Sequence, residues 1–114
     1  MKKRFLVLGL AVIVAATAAV FAIPALAATK TVKVGDNFFV RSSNNATVSV
    51  RRGTTVVWKW TGSAPHNVTV TSGPKKFHSR TQTKGTFKAT PHTKGTYRIV
   101  CTIHAGMKMT LKVR

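Results

Sequence analysis

The residues best suited to chemistry stand close together near the C-terminus. Cys101, His104 and Met107 supply a thiol, an imidazole and a thioether at intervals of three residues. The stretches on either side alternate polar and apolar residues, which is typical of β-strands, so the segment between them is predicted to be a loop. A short loop can direct three side chains toward one point. We therefore interpret Cys101 to Met107 as a candidate ligand loop.

A second imidazole is available from His66, which stands at the start of an earlier predicted strand. Two imidazoles, one thiolate and one weakly held thioether form the donor set of a type 1 blue-copper site. Thiolate and thioether favour Cu(I), whereas imidazole suits both Cu(I) and Cu(II). The sequence thus predicts one copper ion per chain, bound by His66, Cys101, His104 and Met107.

Each of these residues also has an ordinary structural interpretation. A single cysteine is often a small core residue, and in a secreted protein it can form an intermolecular disulfide. His66 and His104 could be plain strand-end histidines. Chance is a poor explanation of the combination, because background composition places histidine three and methionine six residues after a cysteine about once in a thousand cases. His78 and His92 lie in polar, turn-like stretches and are interpreted as solvated.

Met109 offers an alternative thioether. Met107, six residues after Cys101, fits a short ligand loop, whereas Met109 would need a loop two residues longer. Met109 also fits the first inward-facing position of the last predicted strand. We favour Met107 as the axial ligand and leave Met109 open, because a long, weak axial contact constrains the loop little.

The N-terminal segment has the features of an export signal. Residues 2–4 are basic, residues 5–28 carry no charge, and Ala25-Leu26-Ala27 forms a small-x-small cleavage signature. We predict a cleavable signal peptide at residues 1–27 and a mature domain at residues 28–114. An uncleaved membrane anchor is the alternative, since the apolar run is long enough to span a bilayer. Both place the domain outside the cytoplasm, either periplasmic, secreted or on the cell-envelope exterior, because the basic residues stay inside.

The mature segment is predicted to be all-β. Turn-forming residues separate short alternating or apolar stretches at residues 31–34, 38–40, 47–50, 54–61, 67–71, 86–89, 96–101 and 109–113. In the longest stretch, Val56, Trp58 and Trp60 share one face. Many short strands at this spacing indicate an antiparallel β-sandwich or barrel.

Charge and composition exclude several classes of function. The 114 residues contain 19 basic residues and a single carboxylate side chain, Asp36, for a formal net charge of +18. One carboxylate excludes a two-carboxylate glycosidase and a carboxylate-rich Mg²⁺ or Ca²⁺ site. One cysteine excludes an intrachain disulfide framework. The basic residues are dispersed and lack an exposed aromatic platform, so specific nucleic-acid binding is not expected.

These features resemble the small cupredoxins, the family of plastocyanin, amicyanin and pseudoazurin. The likeness spans about residues 29–114 and rests on residues 34–39, residues 64–68 and the pattern Tyr97-x3-Cys101-x2-His104-x2-Met107. It implies a Greek-key β-sandwich with copper at one end, held by the four ligands named above. It also implies that Asn67 links the two ligand loops and helps to donate to the sulfur. Ile103 departs from the pattern, because many relatives have proline before the second histidine.

The resemblance implies an electron-transfer protein, not an enzyme, that cycles between Cu(II) and Cu(I). Relatives pass electrons through the exposed edge of the second histidine, here His104, within an apolar patch for which Pro65, Ala105 and Gly106 are candidates. Residues 28–114 carry sixteen basic residues against one carboxylate. This charge favours an acidic redox partner docking near His104 and nonspecific contact with anionic envelope surfaces. A monomer is expected.

Two other functions compete with electron transfer. A copper storage, delivery or resistance protein would use the same ligands without a redox partner. An enzyme with Cys101 as nucleophile and His66 or His104 as base would also need a group to orient the base. The sequence offers no clear candidate for that group beyond Asn67, and a mature chain of this size leaves little room for a substrate cleft.

Overall fold

The computed structural model describes residues 28–41 and 45–114. These ranges contain eight β-strands and no helix: β1 (Thr29–Gly35), β2 (Phe38–Phe39), β3 (Ala46–Val50), β4 (Thr55–Trp60), β5 (Thr69–Ser72), β6 (Thr86–Ala89), β7 (Gly95–Val100) and β8 (Lys108–Val113). Within them, no helix of bilayer-spanning length and apolarity occurs. The predicted signal peptide, residues 1–27, lies outside the described residues.

The strands form two four-stranded sheets. One sheet has the order β2-β1-β4-β6 and the other the order β3-β8-β7-β5. Buried side chains from both sheets belong to a single hydrophobic core. The all-β sandwich predicted from the strand pattern is therefore confirmed.

The predicted antiparallel direction is wrong for two strand pairs. β1 runs parallel to β4, and β3 runs parallel to β8. Before the chain forms β4 beside β1, it crosses to the second sheet, where it forms β3. Alternation of buried and exposed residues shows which face of a strand is buried, but it does not show the direction of the neighbouring strand. The sequence pattern therefore could not distinguish the two arrangements.

The core is built from alternate residues of each strand. In β4, Val56, Trp58 and Trp60 are buried, while the residues between them face outward. Trp58 packs against Phe77 and Phe87, with ring centroids 5.9 Å and 5.8 Å away. Large aromatic side chains contribute much of the apolar area that a small domain can bury. This cluster supports the strand whose continuation carries His66.

The strands that lead to the predicted ligands end at one edge of the sandwich. Because β1 and β4 are parallel, the turn at Asp36 and the segment after Trp60 lie side by side. The amide of Thr61 extends the pairing by donating to the carbonyl of Val34, 2.9 Å away. Across the sandwich, β7 ends directly before Cys101. Three loops from both sheets therefore converge at this edge.

Trp58→Ala should lower the free energy of unfolding by about 3–5 kcal/mol, because it removes a fully buried aromatic ring from the core. Urea denaturation followed by far-UV circular dichroism measures this loss. Lys59→Ala is the matched control on the same strand, since Lys59 is exposed, and it should change stability by no more than about 0.5 kcal/mol. Equal losses for both variants would contradict the assigned strand faces.

Candidate metal centre

The segment from Cys101 to Met107 forms a closed loop between β7 and β8. The amide of Cys101 donates to the carbonyl of Met107 over 3.0 Å, and the amide of Met107 donates to the carbonyl of His104 over 3.2 Å. Gly106 has a φ of 82°, a conformation that glycine adopts without a steric penalty. The loop is thus closed by its own backbone, which fixes where Cys101 and Met107 lie.

Three of the predicted ligands lie together. Nδ1 of His66 and Nδ1 of His104 are 3.1 Å apart, and Sγ of Cys101 lies 3.9 Å from the first and 3.6 Å from the second. A metal about 2.0–2.3 Å from nitrogen and sulfur donors in a trigonal arrangement separates them by about 3.5–3.8 Å. The three observed separations lie within about 0.4 Å of this range, so small movements of the side chains would let the triangle hold one metal ion, and a thiolate with two imidazoles suits copper.

The donor cluster is buried on one side and reaches the surface on the other. His66 is fully buried and Cys101 is 3% exposed, whereas His104 is half-buried. The neighbouring Ile103 is 50% exposed, and Ala105 and Gly106 are exposed as well. Burial of Cys101 within the cluster argues against an intermolecular disulfide, because a second thiol has no access to it.

His66 is held by its backbone as well as by its ring. Its amide and carbonyl exchange two 3.0 Å hydrogen bonds with Gln82, a residue of the long polar connection between β5 and β6. Its ring Nε2 lies 3.0 Å from Oδ1 of Asp36. The backbone therefore fixes the position of His66, while the contact with Asp36 restricts the rotation of its ring.

Asp36 is a residue of the site that sequence reasoning missed. Its carboxylate accepts hydrogen bonds from the backbone amides of Ser63 and Ala64, at 3.2 Å and 3.0 Å. The hydrogen bond with His66, followed by those with Ala64 and Ser63, lowers the pKa of Asp36 from 3.8 to about 2. Two signals could have pointed to it: Asp36 is the only acidic side chain of the chain, and it lies within the 34–39 motif.

Asn67 lies between the two ligand loops. Its backbone amide donates to Sγ of Cys101 over 3.5 Å. Its side-chain amide donates to Oγ1 of Thr102 over 2.9 Å, and the amide of Thr102 returns a 3.2 Å hydrogen bond to Oδ1 of Asn67. A further hydrogen bond reaches Oγ1 of Thr81. These contacts join the His66 segment to the loop that begins at Cys101.

The remaining residues considered as ligands are two methionines and two histidines. Met107 is 1% exposed and lies within the ligand loop. Met109 is a buried core residue of β8, where it pairs with Ile99. His78 and His92 are exposed, and neither belongs to the group of metal-binding side chains found among the described residues.

Comparison with known proteins agrees with this geometry. Residues 27–114 match the family model of copper-binding proteins of the plastocyanin/azurin family. Since the match covers most of the chain, the protein belongs to the plastocyanin/azurin family and is a small blue-copper cupredoxin. The expected resemblance and the copper cofactor are thereby confirmed.

Solved structures with the same fold include several amicyanins. A methionine-to-alanine variant of amicyanin in its Cu(I) form is 26% identical, with a TM-score of 0.64, and the match covers 82% of this chain and 88% of amicyanin. A reduced tryptophan-to-tyrosine variant is 22% identical, with a TM-score of 0.65 over 80% of this chain and 88% of that one.

A copper-containing nitrite reductase from Thermus scotoductus SA-01 also shares the fold. It is 22% identical, with a TM-score of 0.64 over 75% of this chain. The match spans only 22% of the reductase, so this chain corresponds to a fraction of that protein's length.

The pH dependence of Asp36 is a direct test of the contact with His66. Because its folded pKa of about 2 lies below the ordinary 3.8, the contact stabilises the fold above pH 3.8, and this contribution is lost as the pH falls toward about 2. We expect the ¹³C signal of the Asp36 carboxyl carbon in the metal-free protein to titrate near the lower value. A midpoint at 3.8 or above would contradict the assigned hydrogen bonds.

Proposed function

We propose that the protein is an electron-transfer cupredoxin that cycles one copper ion at a type 1 site formed by His66, Cys101, His104 and Met107. The observation that carries the proposal is the triangle of two Nδ1 atoms and one Sγ atom, whose sides measure 3.1–3.9 Å. When bound, copper supplies the one-electron couple between Cu(II) and Cu(I). The similar amicyanin structures include an oxidised form and a Cu(I) form of that protein.

The protein's own part in this function is to hold the donors still. Backbone hydrogen bonds close the ligand loop, and the pairing with Gln82 fixes His66 before any metal arrives. A site whose donors are already in place requires little rearrangement when an electron enters or leaves. The amide of Asn67, 3.5 Å from Sγ, is proposed to stabilise the thiolate, since hydrogen-bond donors near a copper thiolate tune its potential.

Met107 is proposed as the fourth ligand, which would supply the weakly held thioether. It is buried and belongs to the closed loop that also carries Cys101 and His104. Met109 belongs to the ladder of β8 and pairs with Ile99, so its place in the core is already explained by the strand pattern. The same reasoning favoured Met107 in the sequence.

Electrons are proposed to pass through His104. It is the donor that comes nearest to the surface, and the exposed side chains of Ile103, Ala105 and Pro65 give its surroundings an apolar character. An apolar patch around a metal ligand allows a partner to approach closely and exclude water.

The proposed partner is an acidic redox protein. Lys33 and Lys59 are exposed and lie directly beside each other on β1 and β4. Neighbouring like charges on a sheet repel one another, so a partner of opposite charge relieves that repulsion. The single carboxylate, Asp36, is already engaged with His66. The excess of positive charge steers association with acidic proteins and allows weaker, nonspecific contact with anionic envelope surfaces.

The proposal has four further parts. We propose that the N-terminal signal peptide exports the protein, that the protein works outside the cytoplasm, that it is a monomer and that it is not an enzyme. The charge pattern of residues 2–28 supports export. Four protein donors around one copper ion leave no open coordination position for a substrate. His78 and His92 are exposed and lie outside the donor cluster, so they do not supply a second copper site.

Met107→Leu should change the visible spectrum and raise the reduction potential, because leucine replaces a donor with an apolar group, and the loss of a donor destabilises Cu(II) more than Cu(I). Met109→Leu is the matched control, since it exchanges the same atoms in the core of β8 and should leave both quantities close to those of the wild type. Visible spectroscopy and voltammetry on the two copper-loaded variants make the comparison. A larger effect for Met109→Leu would show that the ligands are assigned wrongly.

Electron transfer and copper delivery predict different behaviour of the copper-loaded protein. An electron-transfer protein should show a reversible one-electron wave in film voltammetry and should retain its copper in the presence of a Cu(I) chelator. The rate constant for reduction by hexacyanoferrate(II), an anion, should fall as salt rises, while that for hexaammineruthenium(II), a cation, should rise, because salt screens the positive charge. Stopped-flow absorbance measures both rates.

The opposite results would favour copper handling. An irreversible wave, together with rapid loss of copper to the chelator, would contradict electron transfer and support storage or delivery. Equal salt dependence for the two complexes would contradict steering by positive charge.

A further inference from the structure

The only carboxylate side chain of this highly basic protein lies against a proposed copper ligand. The chain has 19 basic residues and one acidic residue, Asp36. Among the described residues, the only close contact between an acidic and a basic side chain is that of Asp36 with His66, at 3.0 Å. A carboxylate surrounded by so many lysine and arginine side chains would be expected to pair with one of them. Its contact with a buried imidazole therefore needs its own explanation.

The turn after β1 is constructed so that the carboxylate reaches the imidazole. Asn37 adopts a φ of 71°, which reverses the chain directly after Asp36 and lets Gly35 pair with Phe38. On the other side, Gly62 leaves space, because a Cβ at that position would lie 2.2 Å from Oδ1 of Asp36. A side chain at residue 62 would therefore displace the carboxylate.

Two backbone amides fix the carboxylate in this space. Ser63 and Ala64 donate to Asp36 over 3.0–3.2 Å, and both residues precede His66 in the same segment. The carboxylate is therefore attached to the segment whose imidazole it contacts. Any movement of the His66 segment carries the acceptor with it, so the contact is maintained.

The contact determines which ring nitrogen of His66 carries the proton. A carboxylate accepts hydrogen bonds, so Nε2 must be the protonated nitrogen of the neutral ring. The lone pair then lies on Nδ1, and Nδ1 is the atom that faces Sγ of Cys101 and Nδ1 of His104. The tautomer selected by Asp36 is the one that can bind a metal at the centre of the donor triangle.

We propose that Asp36 is a positioning residue that acts through His66. It holds the imidazole as the Nε2–H tautomer, fixes the ring orientation and favours the Cu(II) state over the Cu(I) state. Carboxylate partners of metal-bound histidines strengthen the histidine as a donor. A negative charge beside the ligand stabilises the more positive oxidation state. The inference rests on the proposed function, because it requires His66 to bind copper.

The expected change in reduction potential can be estimated from the effect of such hydrogen-bond partners on metal affinity. Loss of a hydrogen-bond partner of a metal-bound histidine typically weakens metal affinity by about 10–100-fold. If Cu(II) affinity falls tenfold and Cu(I) affinity is unchanged, the reduction potential rises by about 59 mV. Loss of Asp36 should therefore raise the potential by about that amount or more.

The first test uses the metal-free protein and does not depend on copper. Two-bond ¹H–¹⁵N spectra of histidine-labelled protein report which ring nitrogen is protonated. His66 should be a single Nε2–H tautomer in the wild type and a mixture of tautomers in Asp36→Ala. The same tautomer with unchanged ¹⁵N shifts in both proteins would overturn the inference.

The second test compares reduction potentials of copper-loaded variants. Asp36→Asn keeps an oxygen acceptor but removes the charge, so it should raise the potential, and Asp36→Ala should raise it further. His92→Lys is the charge control, because it adds the same unit of charge at the other end of β4. The carbonyl of Pro91, next to His92, accepts a hydrogen bond from the amide of Gly53, which precedes β4. His66 follows the other end of β4. The length of β4, about 17 Å, exceeds the Debye length of about 10 Å in 0.1 M salt.

The outcomes separate the inference from the proposed function. An unchanged potential in both Asp36 variants, or an equal rise in His92→Lys, would overturn the role of Asp36 while leaving a wild-type blue-copper protein intact. A wild-type protein that binds no copper would refute the proposed function together with the copper-directed part of the inference. The spectra of the metal-free protein would then decide whether Asp36 selects the tautomer.

Discussion

The donor atoms of the site must lie within 4 Å of one another although no bond joins them. Two of the three side chains, His66 and Cys101, are buried, and buried polar groups are costly unless they are hydrogen-bonded or bound to a metal. Hydrogen bonds outside the triangle offset this cost: Nε2 of His66 donates to Asp36, and the backbone amide of Asn67 donates to the sulfur. The faces of the donors that point at one another are left for the metal.

The strand arrangement explains how separate segments reach the same point. Parallel pairing of β1 with β4 puts the ends of both strands at one edge, so the turn at Asp36 lies beside the segment of His66. The second sheet contributes the end of β7 and therefore Cys101. A core that includes Trp58 holds the sheets together. The strands fix where the connecting segments begin and end, and the donors lie in those segments.

The sequence predicted the site best where residues with metal-binding side chains stand at regular short intervals. The interval of three residues between Cys101, His104 and Met107 predicted a ligand loop, and alternation predicted the strands that flank it. Neither signal could reveal the contact between Asp36 and His66, because those residues are 30 positions apart and meet only through parallel strand pairing. The two parallel strand pairs were predicted wrongly as antiparallel, because a one-sided burial pattern is compatible with either strand direction.

A titration of the protein with Cu(II), followed by visible absorption and with Cys101→Ser measured in parallel, tests the proposed copper site most directly. We expect an intense blue thiolate-to-copper band that saturates at one equivalent of copper and is lost in Cys101→Ser. A colourless wild-type protein, or copper binding that is unaffected by Cys101→Ser, would contradict a type 1 copper site at this triangle of donors.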